Sequence, residues 1–192
     1  GEVQDHLYVE DLDFKGRSKD KVVRDAVETG FLDLSDCIQP GDYRERTKCR
    51  VEYDKDILKV EYASYHIRPV SSLRLVADDE ADYRYKSTDR SVLNRLFDLR
   101  ETEDDVLIVR RGWLTDTSIC NIALWNGKQW ITPSVPLLAG TKRASLLDRG
   151  EMVAGDIRPE DLPGYSRIRL FNAMIEFGEI DLSVDKIVLW LK

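Results

Sequence analysis

The spacing of apolar positions changes character along this 192-residue chain, and each change predicts an element. HLYVE, within residues 1–10, predicts a short strand. A charged turn through Lys15, Gly16 and Arg17 follows. Ser18 can then cap a helix running to about Thr29, with Val22, Val23, Ala26 and Val27 at helical spacing. Gly30 stops that helix, and a second short helix or turn around LDLSDCI ends at Pro40-Gly41. The period then falls to two. TKCRVEYD, ILKVEYASY and SSLRLVA are rich in β-branched and aromatic residues that alternate with polar ones. With Asp54-Lys55-Asp56 as the first turn, these runs predict an antiparallel meander. On its first strand Cys49, Val51 and Tyr53 share one face, and Lys48, Arg50 and Glu52 share the other.

The acidic stretch Asp78-Asp79-Glu80 reads as a linker between a domain of residues 1–80 and one of residues 81–192. Beyond it, Ser87 is a reasonable N-cap for a helix carrying Val92, Leu93, Leu96 and Phe97 as its apolar stripe. VLIVRR and CNIALW are the next strand-like runs, with Asp116 at a strand entrance between them. Asn126-Gly127 predicts a type I′ hairpin turn, because both residues tolerate positive φ. ITPSVPLL then leads to Gly140-Thr141, where a short helix begins. MVAGDIR is a further strand and Pro159 opens a helical turn. SRIRLFNAMIEF is a strand delivering Asn172, Ala173 and Met174 to a turn, and DKIVLWLK is a final amphipathic element. Strands dominate with helices at their edges, which favours an α+β fold.

Composition narrows the chemistry. A net charge of -7 argues against a nucleic-acid partner, and no apolar run is long enough for a membrane-spanning helix. The opening GEVQDHLYVE does not resemble a signal peptide, so a cytoplasmic location is expected. Cys37, Cys49 and Cys120 are far apart with no CxxC pair, so neither a disulfide framework nor a structural zinc site is expected. His6 and His66 are the only histidines, which nearly excludes a His-rich metal site or a serine–histidine triad. Chemistry must then come from Lys, Asp, Tyr, Arg or a borrowed cofactor.

Several residues invite such a role while also having plain readings. Lys86 precedes a predicted helix and sits between Tyr83, Tyr85 and Arg90; read alone, it is a solvated lysine. Arg50 on a sheet face is by default solvated or salt-bridged. Asp116 can cap a turn, and Thr141 can be an ordinary N-cap. Gly140-Thr141 at a helix N-terminus also offers free N–H groups and a positive dipole end to a phosphate.

Taken in order, YRYKSTDRSVLNRLF, GWLTDTSICNIALW, WITPSVPLLAGTKRASLL and RLFNAM resemble the class IV aminotransferase family. This family of pyridoxal-phosphate enzymes includes branched-chain and D-amino-acid aminotransferases and aminodeoxychorismate lyase. The resemblance spans residues 83–175. It implies a two-domain α+β fold of the D-amino-acid aminotransferase type, with a small N-terminal α/β domain and a C-terminal pseudo-barrel. The cofactor would lie in the cleft between them. It further implies a homodimer acting on an amino acid or amino-substituted acid as its small-molecule substrate. Lys86 matches the lysine that bonds the cofactor covalently and moves the substrate α-proton. Asp116 matches the acid facing the pyridine nitrogen, five residues before Asn121, with Thr117 beside it. Gly140 and Thr141 match a phosphate-binding turn, and Asn172 and Ala173 match a second segment near the phosphate. Asp116 stands where the family usually has the longer glutamate. The family's phosphate-gripping arginine has no counterpart at Glu10, four residues after His6; Arg17 and Arg50 are substitutes, and Arg50 is the choice for the substrate carboxylate. The alternative is a binding protein that keeps the fold with altered or lost activity.

Overall fold

The computed structural model describes residues 8–13, 44–53 and 57–189. The predicted helix from Ser18 to Thr29, the turns at Lys15–Arg17 and Pro40-Gly41, and the turn at Asp54–Asp56 lie outside these residues. The chain divides into two compact units. The first takes the described residues up to Ile67 together with Tyr85–Asp89, and the second takes Arg68–Arg84 and Arg90 onward.

In the first unit, β1 (Tyr8–Asp13), β2 (Thr47–Tyr53) and β3 (Ile57–Ser64) form an antiparallel sheet with β2 in the middle. Alternation along β2 has the expected consequence. Thr47, Cys49 and Val51 are buried while Lys48, Arg50 and Glu52 are half-buried. Arg50 lies opposite Asp11 and Glu61 in register and pairs with Glu52 at 2.9 Å.

The second unit contains two sheets. The first is built from β4 (Leu73–Ala77), β5 (Asp105–Arg110), β6 (Trp113–Thr117) and β12 (Ile187–Val188), in the order β12-β4-β5-β6. Here the meander reading of SSLRLVA is corrected. β4 runs parallel to both β5 and β12 and belongs to a different sheet from β2 and β3. Its run of Leu73, Leu75 and Val76 is buried, as a strand covered on both faces requires. A parallel neighbour needs a crossover, and helix α1 (Ser91–Asp98) provides it. Leu93 and Leu96 of α1 pack with Val76, Tyr83, Val106, Ile108 and Leu137 into one core cluster.

The second sheet, in the order β11-β10-β7-β8-β9, holds β7 (Asn121–Trp125), β8 (Trp130–Pro133), β9 (Val153–Gly155), β10 (Arg167–Asn172) and β11 (Ile175–Ser183). It repeats the crossover: β8 and β9 are parallel, with helix α2 (Thr141–Asp148) between them. Leu146 of α2 packs on Ala123 and Phe171, and Trp130 and Phe177 close the cluster edge-on. Pro159–Gly164 forms the short 3-10 turn expected at Pro159. Among the described residues, no helix is long and apolar enough to cross a membrane.

Three local expectations change. Asp78–Glu80 is no linker, since it lies inside the second unit, and the unit boundary falls before β4 at Ile67/Arg68. Its carboxylates are engaged there: Asp78 pairs with Arg95 of α1, and Asp79 accepts the Arg111 N–H at 2.6 Å. Ser87 does not cap α1, which begins four residues later behind Arg90; its hydroxyl accepts the Asp89 N–H instead. The Asn126-Gly127 turn is not type I′. Four residues separate Trp125 from its partner Trp130, Gly127 alone among them has positive φ, and Asn126 Oδ1 accepts the N–H groups of Lys128 and Gln129.

The two-residue turn with positive φ at both positions is Arg111-Gly112, at 52° and 81°, joining the register pair Arg110 and Trp113. An exposed arginine in the left-handed region carries a steric penalty that asparagine largely avoids. Arg111→Asn is therefore expected to stabilise the fold by about 0.5–1 kcal/mol. Urea denaturation would read this as a higher midpoint, and a lowered one would contradict the turn assignment.

Candidate active site

Asp116 sits near the end of β6 rather than at a strand entrance, on the same face as buried Leu114. It is 5% exposed, and both carboxylate oxygens are held. Oδ1 accepts the Asn121 side-chain amide at 2.9 Å, and Oδ2 accepts the Leu138 backbone N–H at 2.8 Å. The same Asn121 Nδ2 donates to the Leu138 carbonyl at 2.8 Å. Asp116, Asn121 and Leu138 thus close a ring of three hydrogen bonds. Leu138 leads directly to Gly140, the N-cap of α2.

Gly140 is a glycine for reasons of space. Its φ of -68° suits any residue, but a Cβ there would collide with Asn121 Oδ1. No side chain caps α2 and its first turn holds no acidic residue. Lys142 and Arg143 instead place cations in that first turn, against the usual preference for negative charge there. Lys142 pairs with Glu176 of β11 at 2.7 Å. Arg143 is buried, donates to the Pro133 carbonyl at 2.8 Å, and leaves its Nε without a hydrogen-bond partner.

Thr117 turns inward and holds the loop after β6, its hydroxyl accepting the Cys120 N–H at 3.0 Å. Asn172 meets the same loop by donating to the Ile119 carbonyl at 3.0 Å. Its Oδ1 accepts the N–H groups of Met174 and Ile175, which fixes the turn containing half-buried Ala173. In register, Phe171 lies opposite Asn121, so the Asn172 segment also adjoins the ring. Asp116, Thr117, Gly140, Thr141, Asn172 and Ala173 therefore converge on the start of β7. Lys86 and Arg50 belong to the first unit, where Lys86 is half-buried.

Two residues of this neighbourhood escaped the sequence reading as functional groups. Asn121 figured only as a motif landmark, although it is the lone polar residue opening an otherwise apolar strand. Arg143 carried no signal beyond its place in the first turn of a short helix.

Burial raises the Asp116 carboxyl to about 6, against the pull of the Leu138 N–H, the Asn121 amide, the Leu137 N–H and the more distant Arg143. Burial lowers Arg143, with Asp116 opposing. Burial also raises Asp105, which Ser118 and Arg68 partly offset, and pushes the Cys120 thiol up, so that cysteine is a packing residue.

These features fit pyridoxal phosphate. A buried carboxylate with N–H partners but no direct cationic one suits a protonated pyridine nitrogen. An uncapped helix start behind a glycine suits a phosphate. The chain belongs to the amino-transferase class IV family, whose model matches residues 51–181. An uncharacterized protein of Haemophilus influenzae is 35% identical over 127 residues, covering 66% of this chain and 68% of that protein. A candidate 4-amino-4-deoxychorismate lyase from Haemophilus somnus has been solved. It is 28% identical with a TM-score of 0.74, over 91% of this chain and 99% of that one. A candidate amino-acid aminotransferase from Mesorhizobium loti shares the fold at 22% identity and a TM-score of 0.75, over 96% and 100% of the two chains. The α+β reading and the aminotransferase fold expected from the motifs both stand.

Two predictions follow from the geometry. The unfolded chain releases the Asp116 proton near its ordinary value of 3.8 and the folded one near about 6. Between those values only the folded state holds the proton. Stability should therefore fall as pH rises through that window, by on the order of 3 kcal/mol. Asp116→Asn should flatten this fall in urea titrations, and parallel curves for the two proteins would contradict it. Gly140→Ala should destabilise by about 1–3 kcal/mol, and less in an Asn121→Ala background, where the colliding amide is gone. A double-mutant cycle measures the coupling, and additive effects would remove the proposed contact.

Proposed function

We propose that this chain is a pyridoxal-phosphate-dependent enzyme acting on an amino acid or amino-substituted acid, working as a cytoplasmic homodimer. The observation that carries the reading is the buried Asp116 carboxylate, bound into one ring with the turn that opens onto the bare N-terminus of α2. Bound pyridoxal phosphate supplies an electron sink for charge developing at the substrate α-carbon. Asp116 keeps the pyridine nitrogen protonated. Gly140, Thr141, Asn172 and Ala173 hold the phosphate through backbone groups, and Thr117 fixes the loop beside them. Lys86 is the residue that would hold the cofactor covalently, and its Nζ would move the proton at the substrate α-carbon. Arg50 binds the substrate carboxylate, exchanging its Glu52 partner for it.

Aminotransferases and lyases of this family share the proton-removal step and differ in which bond breaks next. The likeness to the Haemophilus somnus protein, the more identical of the two solved neighbours, favours the lyase. Consumption of 4-amino-4-deoxychorismate without a keto-acid acceptor would establish it, and acceptor-dependent turnover of an amino acid would establish the aminotransferase instead.

The purified protein mixed with pyridoxal phosphate should show a visible absorption band that borohydride fixes onto Lys86. Lys86→Ala should lack it. No band with the wild type would leave a binding protein that retains the fold. Arg50→Ala should raise KM for a carboxylate substrate about tenfold or more with a smaller change in kcat. An unchanged KM would withdraw Arg50 from the substrate site.

A further inference from the structure

The three-bond ring around Asp116 has a definite polarity. The Leu138 carbonyl and the Asp116 carboxylate are both acceptors, so the Asn121 amide must turn its nitrogen to them and its oxygen towards Gly140. Each Nδ2 proton is then committed, one to the strand-end carboxylate and one to the turn before α2. The groups that hydrogen-bond Asp116, the Asn121 amide and the backbone N–H groups ahead of α2, are all N–H donors, and none can accept a proton from it. Donors of this kind favour the ionised carboxylate, whereas burial opposes it. The Leu138 N–H belongs to the backbone and survives any side-chain change there. Asn121 is the side-chain donor of the ring.

We propose that Asn121 is the positioning residue for Asp116, holding its carboxylate in one orientation and in its ionised form within an apolar interior. Its importance for catalysis rests on Asp116 being the group that faces the pyridine nitrogen. Its action on Asp116 does not, because the ring is complete without any cofactor. Two other titratable groups bear on the carboxylate. Arg143 of α2 favours its charge from a distance, and Cys120, next to Asn121, is a buried neutral thiol. Neither replaces a donor that touches Oδ1.

The test uses the intact protein without added cofactor, labelled with 15N and with 13C at aspartate carboxyls, titrated by NMR from about pH 4 to 8. In the wild type, the Asn121 side-chain amide protons should shift with the same midpoint as the Asp116 carboxyl carbon. In Asn121→Ala the Asp116 midpoint should rise by about one pH unit, a roughly tenfold fall in its acid dissociation constant. With pyridoxal phosphate and substrate, the acidic limb of kcat/KM should move in the same direction. An Asn121 amide that stays still through the Asp116 titration would overturn the proposal. So would an unchanged Asp116 midpoint in a folded Asn121→Ala. The wild-type titration decides the matter even where the variant does not fold. Failure of the cofactor band alone would remove the enzymatic reading and leave the titration result intact. Failure of the titration alone would remove the role of Asn121 and leave the cofactor in place.

Discussion

A carboxylate removed from water is costly, and much of the second unit is arranged around meeting that cost at Asp116. A lone hydrogen bond would not offset it. Two donors reach the group from different parts of the chain, the Asn121 amide from β7 and the Leu138 backbone from the turn before α2. Satisfying one side chain therefore fixes where β6, β7 and the start of α2 stand relative to each other. The glycine at position 140 follows from the same demand, because the asparagine that serves Asp116 occupies the space a Cβ would need. The polar ring is thus the inner framework of the candidate site.

The loop between β6 and β7 shows the same economy of means. Ser118 donates to buried Asp105, Arg90 reaches the Ser118 carbonyl at 2.8 Å, Thr117 takes the N–H of Cys120, and Asn172 takes the Ile119 carbonyl. Four elements thus converge on three residues. Arg90 is itself braced on the face of Tyr83, and Asp105 is held by Arg68, which in turn lies over Phe97. A loop held from so many sides has little freedom to lose when a ligand arrives, which is the physical content of preorganisation.

How much of this was legible beforehand depends on the kind of information involved. Strand faces were readable, since alternation directly reports which of Cys49, Val51 and their neighbours turn inward. Strand direction was not, because Leu73–Ala77 carries the same pattern whether its neighbour runs parallel or antiparallel. Turn chemistry misled in both directions: Asn126-Gly127 has the favoured residues but a longer loop, while Arg111-Gly112 makes the tight turn with an unfavoured one. The candidate-site segments could be named because they keep family order. Their mutual support could not, since the partner of both Asp116 and Asn121 is the backbone of Leu138, and a backbone group leaves no mark on the sequence.

The pairing of β12 with β4 has a consequence for how the protein survives its own synthesis. β4 is a buried, aliphatic strand, and one of its two edges is covered by only two residues, Ile187 and Val188. During translation β4 emerges more than a hundred residues before that cover does. Until then its backbone donors and acceptors on that side stand open to any neighbouring chain, as an unprotected sheet edge does. The shortest of the described strands thus covers a sheet edge that would otherwise stay open.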